Sequence, residues 1–138
     1  AQVGFSPDGD VLLVTEKVTN QLVSYRVGHD GRLGAPVITA SAGTTPFGFA
    51  FDRRGHALVS EAFGGAPNAS TVSSYDFKDS RPAQPLVISA RVPDTQSAAC
   101  WVVTTPNGRY AYVTNTGSGT VSSYGIQRSG QIALLQAV

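Results

Sequence analysis

Short apolar runs alternate with turn signals along the whole chain. The pattern is clearest between Val102 and Tyr124. VVTT is followed by a turn at Pro106-Asn107-Gly108, an apolar and aromatic run at Arg109–Thr114, a polar glycine-bearing loop at Asn115–Gly119, and a second alternating run at Thr120–Tyr124. Runs of this length, rich in β-branched and aromatic residues and bounded by Gly, Pro and Asn, predict strands joined by tight turns. The same reading predicts strands at Val3–Phe5, Val11–Thr15, Gln21–Val27, Phe47–Phe51 and Ala57–Ser60.

The pattern repeats three times. Gly9, Gly55 and Gly108 hold one place in it, Phe5, Phe51 and Thr104 a second, and the pairs Ser24-Tyr25, Ser74-Tyr75 and Ser123-Tyr124 a third. The period is about 50 residues, which indicates a propeller or another repeat array. Weaker fourth strands are predicted at Pro36–Ala40, Leu86–Ala90 and Leu134–Ala137. Four antiparallel strands per unit make a propeller blade. The predicted fold class is therefore all-β, a β-propeller segment of three four-stranded antiparallel blades at about 1–42, 43–94 and 95–138. A closed ring takes roughly 4–8 blades. The expected partners are thus the remaining blades of a longer chain or, as the alternative, a second copy that completes the ring.

Composition narrows the function classes. The formal net charge is +1, from 10 basic and 9 acidic residues, so neither a nucleic-acid stripe nor a membrane-binding patch is indicated. Charged residues make up 14 % of the chain, against about 25 % in an ordinary domain. No apolar run approaches the roughly 18 residues of a membrane span. No P-loop, dinucleotide fingerprint, HExxH or CxxC is present, so no cofactor is expected and no metal-binding motif is assigned. Asn68-Ala69-Ser70 fits a glycosylation sequon, a triplet that also arises often by chance.

Tyr112-Val113-Thr114-Asn115 matches the YVTN signature, and Ser6-Pro7-Asp8-Gly9 its usual turn partner. On these residues the chain resembles the YVTN and lactonase-type (6-phosphogluconolactonase-like) seven-bladed propellers, over nearly its full length. The resemblance implies a functional mouth where the loops after each second strand and the links between blades emerge. Those segments are Glu16–Asn20, Glu61–Ser70 and Asn115–Gly119, with the links Ala42–Pro46 and Arg91–Ala99. The step from Glu61 to Tyr75 is about five residues longer than its counterparts, which places an insertion within Phe63–Ser70.

Glu16, Glu61 and Asn115 share one repeat position at that mouth. The two carboxylates could act as general base, general acid or metal ligand, or could tie each loop to its neighbour through backbone hydrogen bonds. Phe47 and Trp101 could wall a ligand ring, or pack at the inner blade edge. Arg91 could hold an anionic substituent, or stand solvated in its link. Cys100 has no His near it in sequence, and His29 and His56 fall at turns on the far side, so it reads as structural. Arg53, Arg54 and Arg109 fall at the opposite turns and read as solubility charge.

Two functions follow. The resemblance implies hydrolysis or formation of a sugar or muconate-type lactone, with Glu61 and Glu16 catalytic and Trp101, Phe47, Asn115 and Arg91 binding the substrate. The Gly-Pro-Arg-His run frequent in such propellers is replaced here by Thr45-Pro46-Phe47-Gly48. The alternative is a non-catalytic YVTN propeller binding a protein or glycan at the cell envelope.

Overall fold

The computed structural model describes residues 1–77 and 83–138. Its strands form three four-stranded sheets in sequence order. Sheet one holds β1 (Val3–Phe5), β2 (Val11–Glu16), β3 (Gln21–Arg26) and β4 (Val37–Ala40). Sheet two holds β5 (Pro46–Phe51), β6 (His56–Glu61), β7 (Thr71–Asp76) and β8 (Leu86–Pro93). Sheet three holds β9 (Ala99–Thr104), β10 (Tyr110–Asn115), β11 (Thr120–Ile126) and β12 (Ile132–Ala137). Every pairing is antiparallel. Among the described residues no helix is long and apolar enough to cross a membrane.

The turn closing each first hairpin has one design. Gly9, Gly55 and Gly108 take φ of 78°, 90° and 66°, a region glycine enters without strain. A short polar side chain before each turn receives the returning backbone: Val11 N–H donates to Ser6 Oγ at 3.0 Å, His56 N–H to Asp52 Oδ1 at 3.0 Å, and Tyr110 N–H to Thr105 Oγ1 at 3.1 Å.

The sheets stack face to face. Leu13, Leu22, Phe49, Val59 and Tyr75 fill the space between sheets one and two, and Leu58, Val72, Val102, Val113 and Tyr124 that between two and three. This explains β6, in which every residue is buried: Ala57 and Val59 face one neighbour and Leu58 the other. In β2 and β10, burial alternates instead. Their sequences are apolar on both faces, but this chain covers only one. Val3, Phe5 and Ile38 are left at 59–62 % exposure on the outer side of sheet one, and Val103 and Leu135 at 57–60 % on that of sheet three.

The repeated Ser-Tyr pair has a joining role. Tyr75 Oη accepts from Ala42 N–H at 2.8 Å, and Tyr124 Oη donates to Val92 C=O at 3.4 Å, so each reaches the sheet before its own. Both rings are fully buried. Tyr25, in the first sheet, is only half-buried.

The fourth strand of sheet two departs from expectation. Sequence ends it at Ala90 and puts Arg91 in a link, but β8 continues to Pro93. Two register shifts displace its backbone against β7. Ser74 Oγ accepts the Ser89 amide at 3.2 Å and Ser73 Oγ the Arg91 amide at 2.9 Å, so the displaced groups stay bonded and the strand runs on.

Candidate functional site

In an up-and-down sheet, the second-to-third-strand loops and the links to the next sheet share one end. At that end Phe47 and Trp101 meet edge to face, ring centroids 5.7 Å apart, and Lys17 Nζ stands 5.3 Å from the Phe47 centroid. Lys17, Thr45, Phe47, Ala98, Cys100 and Thr116 border a cleft of about 550 Å³ there. Glu16 lies beside it, in a smaller cleft it shares with Lys17. Its carboxylate is half-exposed and accepts from Thr19 Oγ1 at 2.9 Å. Trp101 is 56 % exposed. Cys100 Sγ is taken up by Thr116 Oγ1 at 3.1 Å and Ala98 C=O at 3.3 Å.

The wall behind this cleft is stiff because the first strands of adjacent sheets come close. A Cβ on Gly48 would stand 2.3 Å from the Cys100 carbonyl oxygen. Ser60 Oγ accepts from Gly48 N–H at 3.0 Å and donates to Cys100 C=O. Thr15 Oγ1 donates to Phe47 C=O at 2.7 Å. Phe47 and Trp101 are thereby held on a cross-linked backbone.

Glu61 and Asn115 sit within that wall. Glu61 has no exposed surface. Gly43 N–H donates to its Oε1 at 2.8 Å, and Thr71 Oγ1 donates to Oε2. Burial pushes its pKa up, opposed by hydrogen bonds from Ser73, Thr71 and Gly43. Gly43 admits this contact because it has no Cβ; one there would lie 2.3 Å from Oε2. Asn115 is 1 % exposed and donates to Ser122 Oγ at 2.8 Å and Thr120 Oγ1 at 3.2 Å. Arg91 is exposed on β8, the outermost strand of its sheet, and does not border the Phe47 cleft. So the structure brings Phe47, Trp101 and Glu16 to one region, with Glu61 and Asn115 buried in the wall behind it and Arg91 apart from it.

Sequence reasoning missed two features. Lys17 sits in the right loop, directly after Glu16, but nothing in its spacing marks it. Asp94 is fully buried, with Oδ1 accepting from Gln96 N–H at 2.8 Å and its pKa raised by burial. The inserted stretch begins with a 3-10 turn at Phe63–Gly65. Among the described residues no group of three His, Cys, Asp or Glu side chains could hold a metal ion.

No protein-family model and no curated protein matches the chain in sequence. Solved structures do match it. A protein of unknown function from Desulfotomaculum acetoxidans superposes with a TM-score of 0.81 at 20 % identity, over 98 % of this chain and 40 % of its own. The periplasmic gluconolactonase of Pseudomonas aeruginosa gives 0.77 at 20 %, over 99 % and 39 %. A candidate 6-phosphogluconolactonase of Bacteroides fragilis gives 0.77 at 13 %, over 99 % and 38 %. The chain has the fold of a β-propeller arc. Its three sheets are propeller blades. The arc spans about two fifths of the length of these neighbours, and at such identities the likeness is one of fold.

Proposed function

We propose that this arc forms part of the mouth of a lactonase-like propeller acting on a sugar or muconate-type lactone. The observation that carries the reading is the convergence of Phe47, Trp101 and Lys17 beside the half-exposed Glu16. The two rings offer an apolar wall to one face of a sugar ring. The Glu16 carboxylate takes a proton from the attacking water. The Lys17 ammonium stabilises the oxyanion formed at the lactone carbonyl. Collapse of that intermediate breaks the ring C–O bond, and the protonated Glu16 carboxyl returns its proton to the departing ring oxygen. Glu61 and Asn115 serve this site from behind, by holding the loops that carry it. The names of two neighbours, a gluconolactonase and a candidate 6-phosphogluconolactonase, support the substrate class.

Trp101 is the sole tryptophan, so its fluorescence reports on the mouth directly. Titration with glucono-δ-lactone is expected to shift that fluorescence saturably. Opening of the lactone above its spontaneous rate should fall about 100-fold or more in Glu16→Gln and persist in Glu61→Gln. Turnover unaffected by Glu16→Gln would overturn the assignment. The buried, fully bonded state of Glu61 favours a second reading, a propeller that binds without turnover. That reading predicts the fluorescence shift with no lactone opening in any variant.

A further inference from the structure

At the end opposite the mouth, two turns of blade three close on one turn of blade two. Asp52 anchors the arrangement from full burial: it accepts Arg54 N–H at 2.8 Å, pairs with His56 Nδ1 at 3.0 Å, and stands 3.9 Å from the Arg54 guanidinium. Arg54 Nη1 donates onward to Gly108 C=O at 3.3 Å. A Cβ on Gly108 would lie 3.1 Å from Arg53 Cγ, so that turn is pressed against both arginines. The β11–β12 turn docks beside them. A Cβ on Gly130 would stand 2.8 Å from the His56 ring, a packing that brings Arg128 over blade two.

The result is a cleft of about 850 Å³ lined by Arg53, Arg54, Arg109 and Arg128, with Asn107 and Tyr110 at its side and no carboxylate in its lining. A chain with only 10 basic residues has placed four of them here. Arg54 has Asp52 behind it, but among the described residues no carboxylate pairs with Arg53, Arg109 or Arg128. Like charges gathered in one concavity repel, and an entering anion relieves that repulsion.

We propose that this cleft binds a phosphate-bearing small anion. One guanidinium fork satisfies the two coplanar oxygens of a carboxylate, whereas a phosphate presents oxygens in several directions and can accept from forks on different turns. Both walls belong to this chain, so the site is complete however the ring is closed. It stands at the other end of the blades from the mouth and is independent of the lactone reading.

The test is calorimetric titration with inorganic tripolyphosphate, and with citrate as the carboxylate comparator, at low and moderate salt. One saturable site for tripolyphosphate is expected, about tenfold tighter than citrate and weakening as salt rises. Arg53→Gln combined with Arg128→Gln should weaken it about tenfold or more without changing the melting temperature, because both side chains are exposed. Arg109→Gln alone should also weaken it, and Arg32→Gln, at an exposed pair with Asp30 elsewhere, should not. Absence of saturable binding, equal affinity for citrate, or binding that survives the double substitution would overturn the proposal.

Discussion

Glu61 shows how a residue's place in the ring decides its chemistry. Glu16 holds the same repeat position, yet one carboxyl is half-exposed and the other has no exposed surface. The difference is the preceding blade, whose Gly43 backbone lies on Glu61 and has no counterpart over Glu16. Sequence shows the shared position but not the cover, so it could not separate a surface carboxylate from an interior one. The raised pKa has a stability consequence. The folded state favours the protonated carboxyl, so this group's contribution is fully present below about pH 4.5 and is lost as pH rises through its higher folded value. Glu61→Gln should therefore flatten the fall in melting temperature on the alkaline side of pH 4.5, as read by thermal denaturation across pH. Glu61→Ala should cost about 2 kcal/mol or more at every pH, by leaving the Gly43 amide and the Thr71 hydroxyl without their partner.

Among the elements, the strands with strong punctuation were legible. Gly9, Gly55 and Gly108 mark turns that need a positive φ, and the Ser-Tyr pairs mark the strand that reaches back to the previous blade. The extension of β8 was not legible, because it depends on Ser73 and Ser74 hydroxyls bonding amides of the neighbouring strand. The close backbone approach in β5 occurs at Gly48, where a side chain would meet the Cys100 carbonyl. Gly48→Ala should destabilise the chain by about 1–3 kcal/mol, since neither Cys100 nor Gly48 can move without breaking the Ser60 bonds. Urea denaturation measures it; a loss within error of zero would mean that the first strands are not cross-linked as described.

For the whole molecule, the decisive feature is the pair of uncovered blade faces. β6 shows what a central blade looks like when both faces are packed, and β2 and β10 carry apolar residues for the same purpose with one side open. Val3, Phe5 and Ile38 at one end and Val103, Tyr112 and Leu135 at the other are exposed apolar surfaces of the kind another blade would cover. The chain covers about two fifths of the length of each of these neighbours. The most direct measurement is sedimentation equilibrium of the 138-residue chain over a wide concentration range. The predicted mass rises above 14.3 kDa with concentration, and Phe5→Lys together with Val103→Lys returns it toward that value. A sharp 14.3 kDa species at every concentration, with or without those substitutions, would contradict the assignment of these faces as blade-packing surfaces.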